Sequence, residues 1–91
     1  MTWRVRHTRT FYKELARLPK EVRVRIEQVA FGDEIKVDPF WGGKVQKLSV
    51  YREYYQIRYG DHRVGLRLDK ERHIIEFRRI LHRKELYCKF P

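Results

Sequence analysis

Arg58 and Arg63 are the pair whose types and spacing most directly imply chemistry. They lie in Tyr54-Tyr55-Gln56-Ile57-Arg58-Tyr59-Gly60-Asp61-His62-Arg63-Val64-Gly65-Leu66-Arg67-Leu68, two alternating runs around Gly60-Asp61. A Gly-Asp dipeptide between such runs signals a two-residue hairpin turn with glycine first. That turn pairs Tyr59 with His62 and sets Arg58 directly opposite Arg63 on one face. Like charges opposed across strands are destabilising. Two guanidiniums held there predict an anion between them, and the planar fork of arginine suits phosphate. Arg67 continues the same face beyond Gly65, and a mid-strand glycine permits close approach by a ligand or another backbone.

The whole chain supports a polyanionic partner. Lys+Arg number 22 and Asp+Glu 12, so the net charge is +10 on 91 residues. Basic residues at sites of strand alternation, interleaved with aromatics, point to nucleic acid more than to a merely solvated surface. The length fits one domain, residues 1–91, with one modest core. No apolar run is long enough to span a bilayer, and no long amphipathic helix has a basic face, so no membrane partner is expected. Arg4, Arg6 and Arg9 with no apolar stretch behind them do not form a secretory signal. Cys88 is the only cysteine; it excludes an internal disulfide and fits a cytoplasmic location.

The elements that must position these residues follow from periodicity. Trp3 to His7 alternates as a short strand with Trp3 and Val5 inward. Thr8 is a candidate cap for a helix carrying Phe11, Leu15 and Leu18 on one face and ending at Pro19. Val22, Ile26 and Val29 repeat the spacing in a second helix stopped near Gly32. Residues 33–43 are irregular, with Asp38-Pro39 and Gly42-Gly43 as breakers. Val45 to Val50 reads as a short strand, followed by the hairpin strands 54–59 and 62–68. After a polar turn at 69–72, His73 to Leu81 reads as a strand apolar on both faces, as a central strand covered on both sides would be. Residues 83–89 form a last short helix. The order predicts an α+β domain, helices on one face of a mostly antiparallel sheet, with the other face as the working face.

The ordered signature Leu18-Pro19-Lys20, Asp38-Pro39, Lys47-Leu48, Tyr55 to Val64 and His82-Arg83-Lys84-Glu85-Leu86-Tyr87 resembles the RelE/ParE toxin superfamily along nearly the whole chain. The resemblance implies a small antiparallel sheet packed on an N-terminal helical hairpin. It implies a toxin of a type II toxin–antitoxin pair. In the RelE branch this is an endoribonuclease cutting mRNA in the ribosomal decoding site, whereas the ParE branch inhibits DNA gyrase without catalysis. The branch's functional residues carry over as Arg63, Arg83 and Tyr87, with Arg58 as the basic residue of the first hairpin strand. Gln56 departs from the pattern, standing where some RelE-like toxins have a second lysine. The resemblance also implies a cognate antitoxin, physically an acidic segment that folds on binding. It would either cover Arg58, Arg63 and Arg67 or displace the helix at 83–89.

RNA is cut without metal or cofactor when its 2′-hydroxyl attacks the adjacent phosphate. The protein must align that attack, stabilise phosphoryl charge and manage two proton transfers. Arg63 and Arg83 suit the charge role. Tyr87 suits base stacking or proton transfer, and His82 and His62 suit acid–base work because histidine titrates near neutrality. Arg58, Arg67, Lys47, Lys84 and His62 are the expected nucleic-acid contacts. Plainer readings stand beside these. Arg58 and Arg63 could pair with Asp61 or Glu76, His82 could bond to backbone, and Tyr87 could pack the last helix. A degenerate, non-catalytic binding module is the matching functional alternative. His7 and His73 read as ordinary strand-end residues. Four histidines and one cysteine lack ligand spacing, so no metal site is predicted. No phosphate-cradling glycine loop and no GxSxG nucleophile occurs.

Overall fold

Strand β1 (Arg4–His7) opens the fold and is followed by helices α1 (Arg9–Ala16) and α2 (Lys20–Ala30). A one-turn helix α3 (Glu34–Val37) and a 3-10 turn at Trp41–Gly43 lead to strands β2 (Gln46–Lys47), β3 (Tyr54–Tyr59), β4 (His62–Asp69) and β5 (Ile74–His82), and α4 (Leu86–Lys89) comes last. The computed structural model describes residues 2–48 and 52–90, and of Tyr87 the backbone alone. The expected strand at 45–50 is present as Gln46–Lys47, while Ser49 and Val50 lie outside the described residues. No helix among the described residues is long and apolar enough to cross a membrane.

The sheet order is β1-β5-β4-β3-β2, antiparallel except for the parallel pair β1–β5. The parallel pair requires a crossover, and the α1–α2 hairpin is part of it. Thr8 starts that crossover. Its hydroxyl accepts from the amide of Phe11 at 3.1 Å, an N-cap, and donates to the carbonyl of Arg78 at 2.7 Å. Arg78 is the extra residue of a bulge, for Gly65 faces Arg79 but Leu66 faces Phe77. Helix α1 buries Phe11 and Leu15, and α2 buries Ile26 and Val29. They meet Ile57, Val64, Leu66, Ile75, Phe77 and Ile80 from one sheet face. Helix α1 ends at Ala16, a little before Pro19, because the Arg17 and Leu18 amides already bond back to Glu14 and Leu15. Gly32 follows α2 because a Cβ there would sit 2.3 Å from the Gln28 carbonyl oxygen.

The opposite face, expected as the working face, is covered over its middle. Leu81, Leu86, Phe90 and Leu48 form a second buried cluster there, with Tyr54 packed on it. Gly65 faces neither ligand nor backbone. A Cβ on it would lie 2.8 Å from the Phe90 ring. Gln56, opposite Gly65, is buried in the same region, 7% exposed. A chain with so small a main core gains here by closing its C-terminal segment over the sheet, since each buried large apolar side chain contributes roughly 1.5–3 kcal/mol.

Gly65→Ala is therefore expected to push Phe90 off the sheet and cost about 1–3 kcal/mol, the usual range for overpacking. A lowered denaturation midpoint, together with faster amide exchange at residues 86–90 than in β5, is the measurement that checks it.

Candidate nucleic-acid site

The hairpin turn forms as its dipeptide requires. Gly60 has φ +58°, a conformation that only glycine adopts at low cost. Tyr59 pairs with His62, and Arg58 stands opposite Arg63. Strand β5 extends this register. His62 pairs with His82, Arg63 with Leu81, and the amide of Arg83 donates to the carbonyl of Asp61 at 2.8 Å. Arg83 thus falls two residues along from the Arg63 position, on the same face, a diagonal separation of about 7–8 Å between backbone positions. Arg58, Arg63 and Arg83 thus occupy neighbouring positions of one face at the hairpin end of the sheet.

Neither expected carboxylate pairs with Arg58 or Arg63. Asp61 lies 3.6 Å from Arg83 Nε, and Glu76 lies 2.6 Å from Arg78 Nη1. Arg63 folds back over the turn, donating from Nη1 to the carbonyls of Gly60 (2.6 Å) and His62 (2.9 Å). Arg58 is exposed and makes no ion pair among the described residues. The Asp61–Arg83 pair is well exposed, so it aims the side chain and contributes little stability.

Strand alternation separates the imidazoles from this cluster. His62 and His82 meet edge to face as a cross-strand pair with ring centroids 6.5 Å apart, but on the face of the α1–α2 core. His82 Nδ1 accepts from the amide of Lys84 at 3.2 Å, which leaves Nε2 as the donor of a neutral ring. The Glu85 amide bonds to the His82 carbonyl. This tight turn holds Arg83 and Lys84 outward, both exposed. Tyr87 belongs to α4, the helix whose Leu86 packs on the arginine side; its side chain is outside the described residues.

Arg67 shares the arginine face but not its cluster. It lies four residues from Arg63, about 13 Å along the strand, with the Gly65–Phe90 contact between them. Its Nε and Nη2 both reach Glu53 Oε2 at 2.9 Å. This bond and charge hold the Arg67 guanidinium above its ordinary pKa. The expectation of one continuous Arg58–Arg63–Arg67 patch is corrected accordingly. Lys47 also lies away from the hairpin tip, in an open cleft of ≈ 930 Å³ lined by Arg52, Arg67, Lys70 and Arg72 among others. Among the described residues no three His, Cys, Asp or Glu side chains cluster as a metal site needs. His7 is no plain strand end, for its ring sits among Phe11, Phe31 and Phe77 and bonds to the Ala30 carbonyl at 2.7 Å.

Glu14 and Arg79 went unnoticed in the sequence. Arg79 Nη2 lies 2.9 Å from Glu14 Oε2, and Glu14 Oε1 also accepts from the Ile80 amide at 2.9 Å. Arg79 Nη1 donates to the Lys89 carbonyl of α4. The Glu14 bond raises the Arg79 pKa above its usual value. No local pattern announces a contact between residues 65 positions apart.

Comparison with known proteins decides the lineage. Toxin RelE3 of Methanocaldococcus jannaschii is 33% identical over 95 residues, covering 97% of this chain and 99% of that one. The chain belongs to the RelE toxin family. No protein-family model matches it. Among solved structures, the RelE of a RelB–RelE antitoxin–toxin complex from Methanococcus jannaschii superposes with a TM-score of 0.74 at 33% identity, covering 94% of this chain and 99% of that one. The archaeal RelE–RelB complex from Pyrococcus horikoshii OT3 gives 0.72 at 28% identity, covering 91% and 97%. The α+β sheet of this RelE-family chain is thus the fold of the RelE structures, as the sequence resemblance implied.

Removing the carboxylate that braces β5 tests how the site is positioned. Glu14→Ala is expected to cost about 1.5–3 kcal/mol, the range for hydrogen bonds to a charged group. Urea unfolding measures the loss, and exchange at residues 83–89 should rise with it because Arg79 loses its anchor. An unchanged denaturation midpoint would show that Glu14 bears no such load.

Proposed function

We propose that this chain is the toxin of a type II toxin–antitoxin pair and an endoribonuclease that cuts mRNA on the ribosome. The observation that carries this reading is the grouping of Arg58, Arg63 and Arg83 on one face at the end of the hairpin. Three cations in one register, with like charges directly opposed, suit a polyphosphate chain crossing the sheet end. In this reading the RNA 2′-hydroxyl gives up its proton and attacks the adjacent phosphate without a metal, while the P–O5′ bond breaks and the departing 5′-oxygen takes a proton, leaving a 2′,3′-cyclic phosphate. Arg63 and Arg83 stabilise charge on the phosphoryl oxygens, and Arg58 with Lys84 holds a flanking phosphate. Tyr87 is the proton-transfer group in this reading. His82 reaches the scissile bond only around the end of the strand, paired with His62.

The cognate partner in this reading is an acidic antitoxin, as the relatives crystallised with RelB suggest. Association of an acidic segment with a chain of net charge +10 should be fast at low salt and slower as salt rises.

Cleavage of mRNA on programmed ribosomes is the direct test. Arg63→Ala should reduce cleavage at least about 100-fold, the scale for losing one donor to a developing oxyanion. Circular dichroism should remain that of the wild type, since Arg63 contributes little to the core. Wild-type cleavage by folded Arg63→Ala removes the assignment.

Tyr87→Phe and His82→Ala divide the proton transfers. The reading expects Tyr87→Phe to flatten one limb of the pH–rate profile, whereas His82→Ala lowers the rate less and leaves that limb in place. A pH profile lost only in His82→Ala exchanges the two roles.

A further inference from the structure

A second cleft lies on the helical side of the sheet, away from the arginine cluster. It encloses about 420 Å³ between α2, the turn into α3, Trp41 and the end of β3. Val29, Ile35, Trp41 and Tyr59 give it apolar and aromatic walls. Volume and lining fall within the range of sites that take one small group or anchoring side chain.

Tyr59 is the unexplained residue there. It is 5% exposed, and among the described residues its hydroxyl is the buried side-chain polar atom that finds no hydrogen-bond partner. An orphaned buried hydroxyl is costly and rare in a native fold. Burial raises its pKa to about 12, so the phenol stays protonated and offers a donor. Arg25 lies 5.4 Å from the centroid of the same ring and makes no ion pair among the described residues. The neighbouring charges are already engaged. Glu34 accepts from Trp41 Nε1 at 3.1 Å, and Asp33 pairs with Lys36 at 3.3 Å. Trp41 is held at φ +47°, an unfavourable conformation for a bulky residue, with Lys44 over its ring. The wall is thus fixed while the buried hydroxyl of the lining residue Tyr59 is unused.

One group satisfies both Tyr59 and Arg25: a carboxylate on an apolar stem. We infer that this cleft anchors an acidic side chain of the antitoxin, its carboxylate accepting from Tyr59 Oη and pairing with Arg25. The inference rests on the antitoxin partner proposed above. It adds a contact on the face opposite the arginine cluster, so the partner must wrap around the edge of the sheet to reach both.

The test uses the purified toxin–antitoxin complex and its dissociation constant. Tyr59→Phe removes only the orphaned hydroxyl, so the toxin should melt at the same temperature or higher. Antitoxin affinity should fall about tenfold or more, the scale of a hydrogen bond to a charged group. Arg25→Gln should weaken binding as well. The double variant should lose less than the product of the two factors, because both groups hold the same carboxylate. An unchanged dissociation constant in Tyr59→Phe overturns the inference. So does a shift of the Tyr59 resonances by benzoate with no change in antitoxin affinity, which would assign the cleft to a free small acid. Failure of wild-type toxin to retain any acidic partner would instead remove the partner reading beneath it.

Discussion

Strand β1 stops at His7, and beyond that point β5 continues to His82 with no strand on that side. Backbone groups there would be left without partners in the fold. The crossover supplies them by side chain. Thr8 takes the Arg78 carbonyl, and Glu14 takes the Ile80 amide together with the Arg79 guanidinium. Arg79 then reaches the last carbonyl of α4. One carboxylate on α1 therefore ties the first helix, strand β5 and the C-terminal segment together. The end of β5 that this brace steadies is where His82 and Arg83 emerge.

The arginine cluster depends on that geometry more than on local sequence. Arg58 and Arg63 oppose each other because the two-residue turn leaves no other register. Arg83 joins them only because β5 runs far enough for its amide to bond to Asp61. Such a cluster is unfavourable in the free protein. Carbonyls of the turn engage Arg63, and Asp61 attends Arg83. The contacts to Gly60 and Asp61 are exposed, and the bond to the His62 carbonyl is partly buried.

The two sheet faces carry different tasks. One holds the α1–α2 core and, at its margin, the cleft at Tyr59. The other is closed over its middle by Leu86 and Phe90 and left open at its end. A short helix has little stability of its own, so α4 keeps its place through Phe90 on Gly65 and the Arg79–Lys89 bond. The two-faced sheet makes the C-terminal segment a structural cover.

The sequence by itself determined the elements whose signals are local. Gly60-Asp61 set the turn, and with it the Arg58–Arg63 opposition. Period-2 alternation pointed Val64, Leu66 and Leu68 away from Arg63, but His62, expected among the RNA contacts, was found on the core side only in the folded sheet. Spacing of Phe11 with Leu15, and of Ile26 with Val29, marked the inner faces of the two helices. Tertiary structure alone decided what meets across long separations. Gly65 announced a close approach but not that Phe90 would make it. Arg67 looked like a member of the cluster until Glu53 engaged it. Tyr59 read as one more inward aromatic, and nothing in its neighbours showed that its hydroxyl would be stranded beside Arg25. Periodicity reports which way a side chain points. It does not report what waits there, because that depends on contacts between distant segments.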